Sequence, residues 1–235
     1  MFDIKCLASS SHGNCYLVSD GKTKVLLDAG IKIRDILIGC DFDVSSISGA
    51  LITHSHKDHA LSVLELAKRG VRIYGPPSVV IKVADENSNH ACVRTLIKYS
   101  VGTMDFTAVE AVHDVPCYIY YLRSLVDGDS LLYATDTACI PAKFDRLSQA
   151  ILEANYGTSL IADCVHSLKQ RILSTHMAVE ELARYLGRID QSRLKEIYLA
   201  HLSDDHSDED MFRDMIQEAA PDAVIKICKK NGGTV

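Results

Sequence analysis

The stretch Gly49-Ala50-Leu51-Ile52-Thr53-His54-Ser55-His56-Lys57-Asp58-His59 decides how the rest of the chain is read. Its first four residues are small and apolar, as in a buried strand. The run that follows, residues 60–69, has a helical composition and closes on Gly70. The cluster between them therefore occupies a strand-to-helix turn. Four metal-competent side chains, His54, His56, Asp58 and His59, fall within six residues there. A solvated polar loop would account for one histidine, but not for three together with an Asp. Neutral imidazole and carboxylate in combination suit zinc, iron or manganese.

Upstream, the apolar run Lys24–Leu27 ends in Asp28-Ala29-Gly30. A carboxylate at such a strand end can buttress a site from behind; it can equally cap a helix over residues 32–37. Asp20-Gly21-Lys22 reads as a hairpin turn, and residues 8–14 as a polar loop after a strand at 3–7. Downstream, strands are expected at 72–74, 105–112, 118–122 and Ser130–Ala134, with a helix at 76–84. Residues 85–100 show no clear period. In the second half the pattern gives helices at 143–151, near 159–168, at 178–186 and at 207–219 with Ser207 as N-cap. Residues 152–155 read as a short strand or turn, and Glu196–Ala200 and Val224–Ile227 as strands. His113, Asp136 and His201 each follow an apolar, strand-like run, as the first cluster does. A sheet gathers its strand ends along one edge, where sites collect.

Composition narrows the class. The 235 residues are 47% hydrophobic, enough for a sizeable core, and read as one domain, 1–235. A net charge of −6 argues against nucleic-acid binding through global charge, though not against a local basic patch. The eight Cys are scattered without a C-x-x-C pair, which fits reduced thiols in a cytoplasmic protein. No signal peptide and no membrane-length apolar run is evident.

Thr53 to His59 matches the H-x-H-x-D-H signature of the metallo-β-lactamase fold superfamily without a gap. Leu26-Leu27-Asp28-Ala29-Gly30, Ala134-Thr135-Asp136-Thr137 and Leu199-Ala200-His201 resemble its other motifs, so the resemblance covers nearly the full length. It implies an α/β (α+β) fold, a four-layer αββα sandwich with a metal site on one edge. It also implies two divalent ions, zinc first, with manganese or iron as alternatives. His54, His56 and His113 would hold one; Asp58, His59 and His201 would hold the other; Asp136 would bridge them. The ions would share a hydroxide nucleophile.

Glu153-Ala154-Asn155 followed by Ser174-Thr175-His176 resembles the phosphodiesterase and nuclease branch that includes tRNase Z, and within it the bacterial WalJ/YycJ-like, exonuclease-like group. The resemblance implies that Glu153 supports His176 as general acid, with Asp58 as the further catalytic residue. Ser10, Ser11, Asn14 and Asn155 are the candidate substrate-binding residues, and Asp28 the supporting one. The implied substrate is a nucleic acid or nucleotide phosphodiester. No Gly/Pro-rich arm of the kind tRNase Z uses is present, which points away from tRNA. A thioester, lactone or amide hydrolase remains as one alternative, and a non-catalytic binding module as another. The oligomeric state stays open, a homodimer included.

Overall fold

A computed structural model describes residues 1–84 and 89–235. Two sheets run in chain order. The first holds β1 (Asp3–Ser10), β2 (Gly13–Ser19), β3 (Lys24–Leu27), β4 (Ile47–Leu51), β5 (Ile73–Gly75) and β6 (His90–Cys92). The second holds β7 (Lys98–Val101), β8 (Met104–Glu110), β9 (Tyr118–Ser124), β10 (Ser130–Ala134), β11 (Gln149–Glu153), β12 (Glu196–Ala200) and β13 (Val224–Ile227). Helices α1 (Ile33–Gly39), α2 (Lys57–Ala60), α3 (Val63–Lys68) and α4 (Pro77–Val80) belong to the first half, and α5 (His166–Thr175), α6 (Val179–Leu186) and α7 (Glu209–Ala219) to the second.

The strand alternation shows why four layers form. Val25 and Leu27 pack between the sheets, while Leu26 turns outward into a cluster with Ile36 of α1 and Leu66 of α3. In β10, Leu131 and Tyr133 face inward, and Leu132 and Ala134 join the outer cluster with Leu182 of α6 and Phe212 of α7. Ile151 and Tyr198 face inward; Ala150, Leu152, Ile197 and Leu199 face the helices. Both faces of these strands are therefore covered, and a side-chain period of two distributes one apolar run between two cores. The outcome is the αββα sandwich that the motifs imply.

Each sheet starts antiparallel and ends parallel. Strands β3 to β6 pair in parallel, as do β10 to β13. The C-terminal ends of parallel strands are where open α/β sheets place their sites. Asp28, Thr53 and His54 follow β3 and β4; Asp136 follows β10, Glu153 ends β11 and His201 follows β12.

Local expectations met several corrections. Residues 143–151 form no helix: Gln149–Glu153 is the interior strand β11, all five residues buried. A fully buried strand has no polar face, so its periodicity cannot be told from that of a buried helix. The helix expected near 159–168 begins only at His166, after a run of turns. Residues 8–14 are not a loop, because β1 and β2 pair through to Ser10 and Gly13 around Ser11-His12. The run 60–69 is split, α2 ending at Ala60 and α3 starting at Val63. Asp208, not Ser207, caps α7, accepting from Met211 N–H at 3.0 Å. Of the unplaced stretch, β6 and β7 supply edge strands, and 85–88 lies outside the described residues.

Candidate metal centre

Asp28 is the hub of the first sheet's contribution. It is fully buried and sits at φ 58. Its Oδ1 accepts from Thr53 N–H at 2.7 Å; its Oδ2 meets His59 Nδ1 at 2.7 Å and accepts from Tyr133 O–H at 2.5 Å. Thr53 Oγ1 reaches both carboxylate oxygens and His54 Nδ1, each at 3.0 Å. The outer nitrogens of His54 and His59 are thus occupied by oxygen partners. That leaves their inner nitrogens to face the site, as in carboxylate-supported metal ligands. Asp28 does not cap α1, whose N-cap is Lys32.

Gly30 lets the H-x-H-x-D-H turn close over this hub. A Cβ there would lie 1.6 Å from the Asp58 carbonyl oxygen. The neighbouring Ala29 N–H donates to His59 O at 2.8 Å, which ties the two loops together.

The second sheet brings a matching hub. Glu153 is fully buried. Its Oε2 accepts from Thr137 N–H at 3.0 Å and Met177 N–H at 3.3 Å. Its Oε1 meets His176 Nδ1 at 2.7 Å and His201 Nδ1 at 2.9 Å. Asp136 and His201 sit at φ 50 and φ 54, in the left-handed region that side chains disfavour. Asp28 shares this conformation. Three strand-end residues held against that cost, all in one site, mark a place where function takes precedence over local comfort.

These hubs gather three groups of donor atoms, each group spanning no more than 4.8 Å. They are His54, His56 and His113; then Asp58, His59, Asp136 and His201; then Asp136, Glu153, His176 and His201. His54 Nε2 and His201 Nε2 are buried with no hydrogen-bond partner. Asp136 Oδ2 lies 2.5 Å from His59 Nε2. Buried polar atoms are ordinarily paired. Orphans converging from both sheets fit a cation, and an all-nitrogen-and-oxygen donor set fits zinc, manganese or iron.

Electrostatics agree. Burial, with neighbouring imidazoles adding to it, pushes His54 far below the usual histidine value, and burial likewise depresses His113. Both are then neutral, the form that ligates. Burial would raise the Asp136 carboxyl, but His201 and His59 outweigh it and hold it well below the carboxylate range. Burial would depress His59, but Asp136 and Asp28 lift it well above its usual value. A cation at His59 would therefore displace a proton. His176 follows the same logic: burial opposes its charge, and the Glu153 carboxylate overcomes burial to raise it to about 9.

A cavity of about 340 Å³ opens over these groups, lined by Ser11, His56, Asp58, His113, Asp136, His176 and His201, with Asp114, Arg171 and Thr175. Of the four residues read as substrate-binding, Ser11 lines it. Ser10, Asn14 and Asn155 are buried behind it. Asn14 Nδ2 donates to Ser10 O at 2.9 Å and lies 3.1 Å from His59 Nε2. Asn155 Nδ2 donates to His201 O at 2.8 Å. Thr53, Tyr133 and Asp114 escaped the sequence reading, whereas Arg171, read from the sequence as a source of positive charge near the site, lines the cavity. Only Thr53 carried a signal, since it opens the motif. Ser9 Oγ accepts from His201 N–H and from Tyr16 O–H, a role no spacing foretells.

The model of the Beta-lactamase superfamily domain family matches residues 23–202. Exodeoxyribonuclease WalJ of Streptococcus pneumoniae is 29% identical over 226 residues, covering 88% of this chain and 83% of that protein. Exodeoxyribonuclease YycJ of Bacillus anthracis is 27% identical over 225 residues, covering 88% and 84%. Among solved structures, the metallo-beta-lactamase fold protein YhfI from Bacillus subtilis superposes with TM-score 0.78 at 16% identity, over 100% of this chain and 98% of that one. The short form of human tRNase Z gives TM-score 0.69 at 12% identity, over 100% and 98%. The strand-end hubs, the H-x-H-x-D-H turn and the family model, which spans well over half of the chain, lead to one conclusion: the protein belongs to the Beta-lactamase superfamily domain family.

Proposed function

We propose that this metal-dependent hydrolase of the metallo-β-lactamase fold is a dinuclear phosphodiesterase that cleaves nucleic acid, DNA first. His54, His56 and His113 would hold one ion, and Asp58, His59 and His201 the other, with Asp136 between. Divalent ions bound there would supply Lewis acidity to the phosphoryl oxygens and neutralise charge that builds at phosphorus. The Asp58 carboxylate, partly exposed on the cavity wall, is available to orient and deprotonate an attacking water. Arg171 lines the same cavity and offers its guanidinium to an anionic substrate.

The observation that carries the reading is the Glu153–His176 pair. In the metal-free protein its 2.7 Å contact raises the His176 pKa to about 9, which favours the imidazolium. With Nδ1 on Glu153, Nε2–H is free to protonate a leaving alkoxide. A ribose oxygen needs that proton; a thiolate leaving from a thioester does not. The two relatives named exodeoxyribonucleases support DNA as the first substrate to test.

The test is turnover of bis(p-nitrophenyl) phosphate, a thioester and a chromogenic β-lactam by the metal-replete protein. The phosphodiester should be hydrolysed far faster than the other two. Preference for the thioester or the lactam would replace this reading with the amide and thioester alternative.

A further inference from the structure

A second cavity, of about 630 Å³, lies outside the metal centre and shares no lining residue with it. Its floor is β1 from Lys5 to Ala8. Ile31, Asp35 and Ile38, in and just before α1, supply one part of its wall, and the C-terminal turn 230–233 supplies another. That turn is fastened to β1, since Gly233 N–H donates to Cys6 O at 3.0 Å. Gly232, at φ 90, is held so close that a Cβ would lie 2.8 Å from Leu7 O. The wall is therefore a fixed part of the fold.

The two cavities meet at the β1–β2 turn. Ser11 lines the metal cavity, and Ser10, His12 and Gly13, on either side of it in sequence, line the groove. One residue separates them, so a polymer seated at the metals can continue into the groove.

The lining has the chemistry of a nucleic-acid track. The exposed Lys5 ammonium donates to the Gly39 carbonyl at 2.8 Å and makes no ion pair among the described residues, so its charge is not neutralised. Lys230 pairs with Asp204, an exposed pair of the kind that exchanges readily for a phosphate. Asp35 is the opposing carboxylate in the lining. In a chain of net charge −6, two lysines around one groove concentrate charge against the global sign. Leu7, Ile31 and Ile38 add apolar surface, and His12 adds an exposed ring at the end nearest the metal centre. Single strands are gripped in this way: ammonium groups follow the phosphates, while bases lie on apolar surface and stack on rings.

We propose that this groove holds nucleotides flanking the scissile phosphate of a single-stranded DNA substrate, with Lys5 and Lys230 on its phosphates and His12 under a base; this rests on the nuclease reading above. The groove takes no part in the chemistry. It lengthens the substrate that the metal cavity can grip, and so favours a polymer over a small diester.

The experiment measures kcat/KM of the metal-replete protein on a single-stranded DNA oligonucleotide and on bis(p-nitrophenyl) phosphate, over a range of salt concentrations. The ratio of the two values is the readout. Each lysine contact with a single strand contributes ~0.7 to the slope of log affinity against log salt, or ~5-fold at ~0.1 M salt. The double variant Lys5→Gln/Lys230→Gln should therefore lower the ratio by up to ~25-fold and flatten the slope by ~1.4. His12→Ala should lower the ratio at every salt concentration without flattening the slope. Asp35→Asn should raise the ratio, a change in the opposite direction that damage to the fold would not produce. Ratios and slopes unchanged in all three variants, or equal losses on both substrates, would overturn the groove alone. A wild type that hydrolyses bis(p-nitrophenyl) phosphate yet leaves the oligonucleotide intact would overturn the nuclease reading with it.

Discussion

Glu153 has four hydrogen-bond partners and no contact with solvent. Two backbone N–H groups fix its carboxylate, so its remaining oxygen can hold two imidazoles at once. In the proposed mechanism, His176 donates the proton and Glu153 stabilises the imidazolium. His176→Ala should keep both metals yet lose ~10²–10⁴-fold in rate on a DNA phosphodiester, whose leaving oxygen needs a proton. The loss on bis(p-nitrophenyl) phosphate should be much smaller, and Glu153→Gln should repeat the pattern more mildly. Equal losses on both substrates would remove His176 as general acid. The pKa makes a second prediction, in the metal-free protein. A folded value of about 9 against an ordinary 6.5 means the charged form is stabilised by folding. The pair's contribution to stability is then complete below pH 6.5 and is lost as pH rises through 9. An NMR titration of the His176 ring should show a midpoint near 9 in wild type and a much lower one in Glu153→Gln. An unchanged midpoint in the variant would show that Glu153 is not the cause.

At the scale of elements, the site is a meeting of strand ends, and tight loops hold it. Gly30 admits no side chain, because a Cβ would collide with the Asp58 carbonyl at 1.6 Å. Gly30→Ala should cost at least ~1–3 kcal/mol and disturb the H-x-H-x-D-H turn. Gly187→Ala is the control: it sits at φ −64 after α6 with ordinary 3.7 Å contacts, and should be neutral or slightly stabilising. Similar melting temperatures for the two variants would contradict the packing argument. The strands bearing Asp28, Asp136 and His201 were legible because each ends an apolar run in a polar residue. β11 was not, since burial on both faces erased its period. Nor was the start of α5, where Ser159 to Val165 carry helix-compatible residues yet form turns. The hydrogen-bond partners of Asp28 and Glu153 were illegible for another reason. Tyr133 and Asp28 are 105 residues apart, and no spacing rule joins them.

Across the whole molecule, the donor groups join the two sheets: His54, His56, Asp58 and His59 come from the first half, and His113, Asp136, His176 and His201 from the second. A cation bound between them therefore ties one half of the sandwich to the other. Removing metal should lower the melting temperature. Saturation at 100 times the dissociation constant stabilises by ~2.7 kcal/mol, which for a chain of this size is roughly 5–10 °C. A melting temperature unmoved by chelation, and unmoved again on adding zinc or manganese back, would contradict a centre built from both sheets. The central claim, that this centre cleaves nucleic-acid phosphodiesters, has a direct test. End-labelled single-stranded DNA is incubated with metal-replete wild type, metal-stripped wild type and His56→Ala, and the fragment lengths are read over time. The account predicts metal-dependent shortening by wild type, none after stripping, recovery on adding zinc or manganese back, and none with His56→Ala. Intact DNA with the metal-replete protein, or equal shortening by His56→Ala, would contradict it.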